Sequence, residues 1–216
     1  MSQSDPNPDL SLASATRLDL MGAVILKGAL PPEAQAKLVE QVRACARAAP
    51  PVRFETPSGR RMSVVMTSAG RLGWTASRRG YAYAPAAPSG APWPPIPPAA
   101  LSVWRAVSGW TGDPDCCLIN WYGEDARMGL HQDKDEDAYD APVVSISLGD
   151  PGLFRVGGVE APRPTRSVWL DSGDVAILGG AARLAWHGVD RIRFGASSLL
   201  PKGGRLNLTL RVVRSA

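Results

Sequence analysis

At Cys116 the period of the chain changes, and that change narrows the fold more than any other feature. From there to the C-terminus helical spacing is absent. Short apolar runs, C-L-I-N-W-Y, V-V-S-I-S-L, D-V-A-I-L and R-L-N-L-T-L-R-V-V, recur at intervals of roughly ten residues between glycines and turn residues. Such strands cannot bury an apolar face alone, so they predict a β-sandwich or barrel, with jelly-roll topology foremost. The half before Cys116 reads differently. A short buried strand fits Ala23 to Leu26. Ala34, Leu38, Val42 and Cys45 then recur at helical spacing, bracketed by Pro31-Pro32 and Pro50-Pro51. Met62 to Thr67 reads as a strand, Gly70 to Gly80 as a loop or hairpin, and Tyr81-Ala82-Tyr83 as a continuation of the sheet. Seven prolines between Pro85 and Pro98 exclude a central strand or a helix and mark a connector. A second helix over Pro98 to Ser108 carries Leu101, Trp104 and Val107 on one side, and both helices are expected to cover one sheet from outside. The expectation is thus a mainly β, α+β protein.

With 216 residues, one domain with a real core is expected over residues 16–216, after a loose tail at residues 1–15. The polar start argues against a targeting segment, and no apolar run approaches the roughly 18 residues of a membrane span. Cys45, Cys116 and Cys117 are an odd set that reads as small core residues in a reducing interior. A cytoplasmic protein with no membrane partner is expected. The net charge of +4, mostly from arginine, makes an anionic partner plausible without identifying one.

Only two histidines are present, His131 in H-Q-D and His187 in W-H-G. If H-Q-D is extended, His131 and Asp133 project to one face about 6–7 Å apart, close enough to share an ion. Two imidazoles and one carboxylate on one side of an octahedron leave three positions open, the need of non-haem iron(II) that must hold a keto-acid and oxygen together. H-x-D alone is a weak motif. Its weight comes from His187 at a strand end and from the arginine-bearing terminal strand beyond it. There Arg205, Asn207, Thr209 and Arg211 alternate with Leu206, Leu208, Leu210 and Val212. A solvent-facing polar face would explain the alternation. The functional reading instead turns that face into the barrel mouth, where arginine forks bind a dicarboxylate. Asn120 and Tyr122, two apart on a neighbouring run, could add hydrogen bonds.

These residues resemble the AlkB family, most closely its bacterial DNA-repair members. The resemblance runs from about Ala23 to Val212 and is densest in M-S-V-V-M-T, R-L-G-W-T, G-Y-A-Y-A-P, C-L-I-N-W-Y, L-H-Q-D-K-D-E, V-S-I-S-L-G, W-H-G and R-L-N-L-T-L-R. It implies a double-stranded β-helix with a nucleotide-recognition lid over about residues 50–98 and a catalytic core over about 116–214. It also implies iron(II) on His131, Asp133 and His187, and 2-oxoglutarate paired with Arg205 and surrounded by Arg211, Asn207, Asn120, Tyr122 and Ser145. Leu118 and Met128 would pad that pocket. A flipped base would lie between Trp74 and His131, with Met66 as a wall, Tyr81, Tyr83 and Lys134 around the nucleotide or its phosphate, and Asp135 recognising the base. The acidic run around Asp135 otherwise reads as an exposed turn. Two departures stand out: Ala161 occupies the place of a frequent arginine, and Gly129 replaces a small polar residue.

The implied reaction removes alkyl groups, as in 1-methyladenine and 3-methylcytosine, from DNA or RNA. Molecular oxygen and 2-oxoglutarate are converted to succinate and carbon dioxide, and formaldehyde is released. Single-stranded DNA is the preferred substrate implied, with a monomer and no obligate protein partner. The rival readings are an oxygenase of the same core acting on a small molecule or protein side chain, and a non-catalytic nucleic-acid-binding module.

Overall fold

The computed structural model describes residues 10, 12, 14–137 and 139–214. Most of the expected tail therefore lies outside the described residues, although Leu10 and Leu12 pack, partly buried, against the core. In chain order the strands of the first half are β1 (Thr16–Leu20), β2 (Ala23–Lys27), β3 (Val65–Gly70), β4 (Gly73–Ser77) and β5 (Gly80–Ala84). Those of the second half are β6 (Cys116–Tyr122), β7 (Met128–His131), β8 (Val143–Gly149), β9 (Gly152–Val156), β10 (Arg166–Leu170), β11 (Val175–Leu178), β12 (His187–Ile192) and β13 (Arg205–Arg211). Two helices, α1 (Pro32–Ala48) and α2 (Pro98–Val107), each begin with a proline inside the first turn, where its missing N–H costs nothing.

A seven-stranded sheet, β1-β2-β11-β8-β13-β6-β3, faces a four-stranded one, β10-β9-β12-β7, and every pairing is antiparallel. This is the expected jelly roll. Period two divides its core into two layers. Leu208 and Leu210 of β13, Ile146 and Leu148 of β8 and Ile119 of β6 meet Leu38 and Val42 of α1 and Trp104 of α2 outside the large sheet. Leu118 and Tyr122 of β6, Phe154 and Val156 of β9 and Leu170 of β10 fill the space between the sheets. Both faces of β13 are consequently buried: Arg205, Asn207, Thr209 and Arg211 all point inward between the sheets and are nearly inaccessible. The alternation is thus not that of a solvent-facing strand.

Three expectations change. The residues Tyr81 to Tyr83 do not extend the large sheet. They form, with β4, a separate two-stranded hairpin in which Trp74 pairs with Tyr83. The strand expected from Met62 starts at Val65 and runs on to Gly70. That end needs glycine: φ is +122° at Gly70, and a Cβ there would lie 2.3 Å from the Asp115 carbonyl oxygen. A strand also precedes Ala23. β1 is mostly exposed and is joined to β2 by Met21-Gly22, both at positive φ, the two-residue turn that suits strand twist. Among the described residues no helix is long and apolar enough to cross a membrane.

Candidate active site

His131 ends β7 and His187 begins β12, and the antiparallel register makes them direct partners. Their rings lie 4.5 Å apart between centroids. The β-pairing between two distant segments is therefore what brings the histidines together. Asp133 follows β7 in irregular chain, so H-Q-D is extended only up to its histidine. The Asp133 carboxylate lies 3.6 Å from His131 Nε2 through Oδ1 and 3.5 Å from His187 Nε2 through Oδ2. One ligand atom from each residue falls within 4.8 Å of the others.

The proton arrangement suits a cation. His131 Nδ1 is 2.9 Å from the Gly129 carbonyl and His187 Nδ1 is 2.9 Å from the Ala185 carbonyl. A proton donated to each carbonyl leaves both Nε2 lone pairs facing the carboxylate. Neither nitrogen can then donate to Asp133, and Asp133 Oδ2 is a buried oxygen without a hydrogen bond. Desolvation in the crowded site, together with the neighbouring His187, holds the His131 imidazole down to about 4. His131 is therefore neutral near pH 7 although its side chain is 39% exposed. Burial alone would raise Asp133. The Arg211 guanidinium, donating to Oδ1 at 2.8 Å, together with the two histidines, outweighs that and holds the carboxyl well below its usual range. Two imidazoles that present Nε2 to the same carboxylate form, with it, the donor set of a non-haem iron(II) site, and iron(II) fits it.

Behind the triad a cavity is lined by Leu118, Asn120, Tyr122, Ser145, Arg205, Asn207 and Arg211, every residue expected around the keto-acid, with Met128 at its rim. Arg205 is 1% exposed. Its guanidinium donates to Ser147 Oγ at 2.7 Å and to the Leu170 carbonyl at 3.1 Å. No carboxylate pairs with it among the described residues, and its Nε has no partner. Burial pulls its pKa down, the mark of a charge without full compensation. A buried guanidinium in this state calls for an anion, and the distal carboxylate of 2-oxoglutarate meets that need. Asn120 Oδ1 is likewise buried without a partner. Burial pushes the Tyr122 phenol up to about 12, so it stays protonated. Asn207 is engaged internally, donating to Ser145 Oγ at 2.6 Å and accepting from Thr209.

On the other side of the triad lies a cavity of about 240 Å³ walled by Met66, Trp74, Tyr81, His131, Lys134 and Asp135. Trp74 is held in place, edge-on to Phe54 and stacked on Tyr81 at 5.3 Å, and its indole N–H points at Asp135 Oδ2 at 3.4 Å. Tyr83, expected beside the nucleotide, does not line this cavity. Its hydroxyl donates to Glu136 and accepts from Arg211 at 2.9 Å, so the hairpin is tied through Arg211 to Asp133. Ala161 and Gly129 are exposed, in the loop after β9 and on β7 respectively.

The acidic turn is a mixed case. Lys134, Asp135 and Asp137 are exposed, but the Glu136 carboxylate is fully buried. It pairs with Arg183 at 3.2 Å and Arg211 at 3.4 Å. Arg183, itself buried, also donates to the carbonyls of Asp133 and Ala141, both at 2.8 Å. Two guanidiniums and two carboxylates thus lock the segment that carries Asp133. Glu136 and Arg183 go unmarked in the sequence, because no local pattern announces a pair joined only by the fold. The three cysteines are buried and free, as expected.

Comparison with known proteins gives the site its context. Residues 22–211 match the 2OG-Fe(II) oxygenase superfamily. The chain is 53% identical over 196 residues, 90% of its length and 89% of the relative's, to the alpha-ketoglutarate-dependent dioxygenase AlkB homolog of Caulobacter vibrioides. It is 40% identical over 195 residues, 88% and 89% of the two lengths, to the alpha-ketoglutarate-dependent dioxygenase AlkB of Escherichia coli. A solved structure of OsALKBH1 superposes with a TM-score of 0.73 at 31% identity, covering 92% of this chain and 99% of that one.

Proposed function

The chain belongs to the AlkB family of the 2OG-Fe(II) oxygenase superfamily, and from that premise we propose that it removes alkyl groups from nucleic-acid bases. The observation that carries this reading is the placement of the triad between two cavities, one closed around an uncompensated guanidinium and one walled by Trp74 and Asp135. His131, Asp133 and His187 hold iron(II). When bound, the metal supplies the oxidation in which 2-oxoglutarate and oxygen become succinate and carbon dioxide and an N-methyl group leaves as formaldehyde.

The rest belongs to the protein's side chains. Arg205 fixes the distal carboxylate of the keto-acid, with Asn120 and Tyr122 as neighbouring polar groups. Arg211 keeps Asp133 ionised and oriented. Trp74 and His131 enclose a base taken out of its strand, and Met66 limits the pocket. Asp135 faces the cationic ring of 1-methyladenine or 3-methylcytosine, where opposite charges interact more strongly than in open water. Residues 50–98 serve as the lid and residues 116–214 as the catalytic core. Single-stranded DNA is the preferred substrate and RNA a second one. The protein acts as a cytoplasmic monomer without a protein partner.

The test is incubation of the purified protein with a methylated single-stranded oligonucleotide, iron(II), ascorbate and 2-oxoglutarate, followed by mass measurement. Loss of the methyl mass is expected, with strong attenuation in His131→Ala and Trp74→Ala. Full turnover in His131→Ala would remove the triad from the account.

A further inference from the structure

We infer that Lys27, which lines neither cavity, tunes the affinity for 2-oxoglutarate: its ammonium cancels the carboxylates of Asp171 and Asp174 behind Arg205, so that the Arg205 charge stays available to the distal carboxylate of the keto-acid. The inference rests on the reading above, in which Arg205 receives that carboxylate. Lys27 touches no ligand and is a positioning residue that acts through Arg205.

The link runs through D-S-G-D at residues 171–174, the turn that carries the chain from β10 in the small sheet to β11 in the large one. Both acceptors of the Arg205 guanidinium adjoin this turn. Leu170, whose carbonyl takes Nη1, directly precedes Asp171. Ser147, whose hydroxyl takes Nη2, exchanges backbone hydrogen bonds with the turn: its N–H donates to the Asp174 carbonyl at 2.9 Å, and its carbonyl accepts from Gly173 at 2.8 Å. Arg205 and the two carboxylates therefore share one frame without being paired directly.

Lys27 closes that frame from the end of β2. Its ammonium donates to the Trp169 carbonyl at 2.8 Å, to Asp171 Oδ2 at 2.6 Å and to Asp174 Oδ2. The Asp174 side chain is 2% exposed and also accepts two backbone N–H groups, from Gly28 at 2.8 Å and from Asp171 at 2.7 Å. Without the ammonium this carboxylate would keep its backbone donors and lose its counter-charge. Burial works against the Lys27 charge, but hydrogen bonds from the two carboxylates overcome it and raise the pKa above the ordinary value.

The charge count gives the sign. Two cations, Lys27 and Arg205, stand against two carboxylates, Asp171 and Asp174, so the set is neutral and only Arg205 lines the keto-acid cavity. Removing Lys27 leaves one cation against two carboxylates before an anionic ligand arrives. Burial pulls the Arg205 pKa down while the Tyr122 phenol, Asp174 and Asp171 oppose it, so both carboxylates lie within electrostatic reach of the guanidinium. Charges in such an interior are screened far less than at the surface.

The experiment measures binding of 2-oxoglutarate to the iron(II)-loaded protein without oxygen, by calorimetric titration, beside the same titration with 2-oxopentanoate, a keto-acid that lacks the distal carboxylate. Lys27→Met is expected to raise Kd for 2-oxoglutarate about fivefold or more and to leave Kd for 2-oxopentanoate within about twofold. Lys27→Arg should restore the wild-type value. Asp171→Asn, at a side chain 54% exposed, should act in the opposite direction, lowering Kd for 2-oxoglutarate about twofold at low salt and less at high salt. In turnover of a methylated oligonucleotide, Lys27→Met should raise KM for 2-oxoglutarate and spare kcat.

Equal weakening of both keto-acids in Lys27→Met would assign the lysine to the fold alone and overturn the inference. So would weaker 2-oxoglutarate binding in Asp171→Asn, which decides the sign even where Lys27→Met fails to fold. Arg205→Met separates the two layers of the argument. If it binds 2-oxoglutarate as tightly as wild type, the assignment of Arg205 falls and takes the inference with it. If it binds weakly while Lys27→Met binds normally, that assignment stands and only the role of Lys27 is lost.

Discussion

Arg205 and Arg211 lie at opposite ends of one face of β13, and their surroundings give them different work. Arg211 has its anions within the fold, Asp133 at 2.8 Å and Glu136 at 3.4 Å, whereas Arg205 has only a hydroxyl and a carbonyl. Alternation along the strand puts both on one face but cannot tell whether that face is interior or which of the two waits for a ligand. Arg205→Met, which keeps the length and removes the charge, should raise the KM for 2-oxoglutarate at least tenfold in steady-state assays. An unchanged KM would assign the buried charge to some other role. Glu136→Ala should act on stability instead. It leaves Arg183 and Arg211 undercompensated inside the protein, and breaking a buried pair costs about 3–5 kcal/mol. Urea unfolding of the metal-free protein measures that loss. A change below about 1 kcal/mol would show that water relieves the site.

At the scale of elements, most of the large sheet was legible, its edge strand β1 excepted, and the small one was not. β6, β8, β11 and β13 are apolar on at least one face over most of their length, because the sandwich covers one side and the helices the other. Their runs therefore survive in the sequence. β7, β9, β10 and β12 are four to six residues long and each carries glycine or arginine among its apolar residues, since their outer face meets solvent. Only the histidines hinted at two of them. The helices were readable from spacing and prolines. The separate β4–β5 hairpin was not, because whether Tyr81 and Tyr83 join a sheet or a hairpin depends on partners far along the chain. The β7–β12 pairing also makes a prediction. A Cβ on Gly188 would lie 2.6 Å from the Met128 carbonyl oxygen and 2.7 Å from that of Gly129. Gly188→Ala should push the two histidine strands apart and weaken iron(II) binding in a metal titration more than it lowers the melting temperature of the metal-free protein. The reverse ranking would mean that the strands tolerate the methyl group.

For the whole molecule, acid should be destabilising through the same site. The folded value of His131, about 4, lies below the ordinary value of about 6.5, so the unfolded chain takes up this proton first as pH falls. Its contribution is complete above about 6.5 and is lost on the way down to about 4. Asp133, held below the usual carboxylate range, adds stability above about 4 that is lost as pH falls further. The urea midpoint of the metal-free protein should drop between pH 7 and pH 5, and His131→Asn should flatten that drop. Equal slopes in the two proteins would contradict the depressed value. The H-x-D and distant histidine announced this centre because metal chemistry restricts residue types. The buried cluster that supports it stayed hidden because Coulomb pairing asks only for opposite charges, wherever the fold happens to bring them.

Both imidazoles come from the small sheet, while the arginine that grips their companion carboxylate comes from the large one. An ion seated there works as a rivet through the sandwich: opening the two layers must also release it. Loading with manganese(II) in place of iron should therefore raise the melting temperature progressively with metal concentration, by the ordinary mass-action law. A chelator should undo the gain, and in Arg211→Ala, where the rivet has lost its second plate, most of it should vanish.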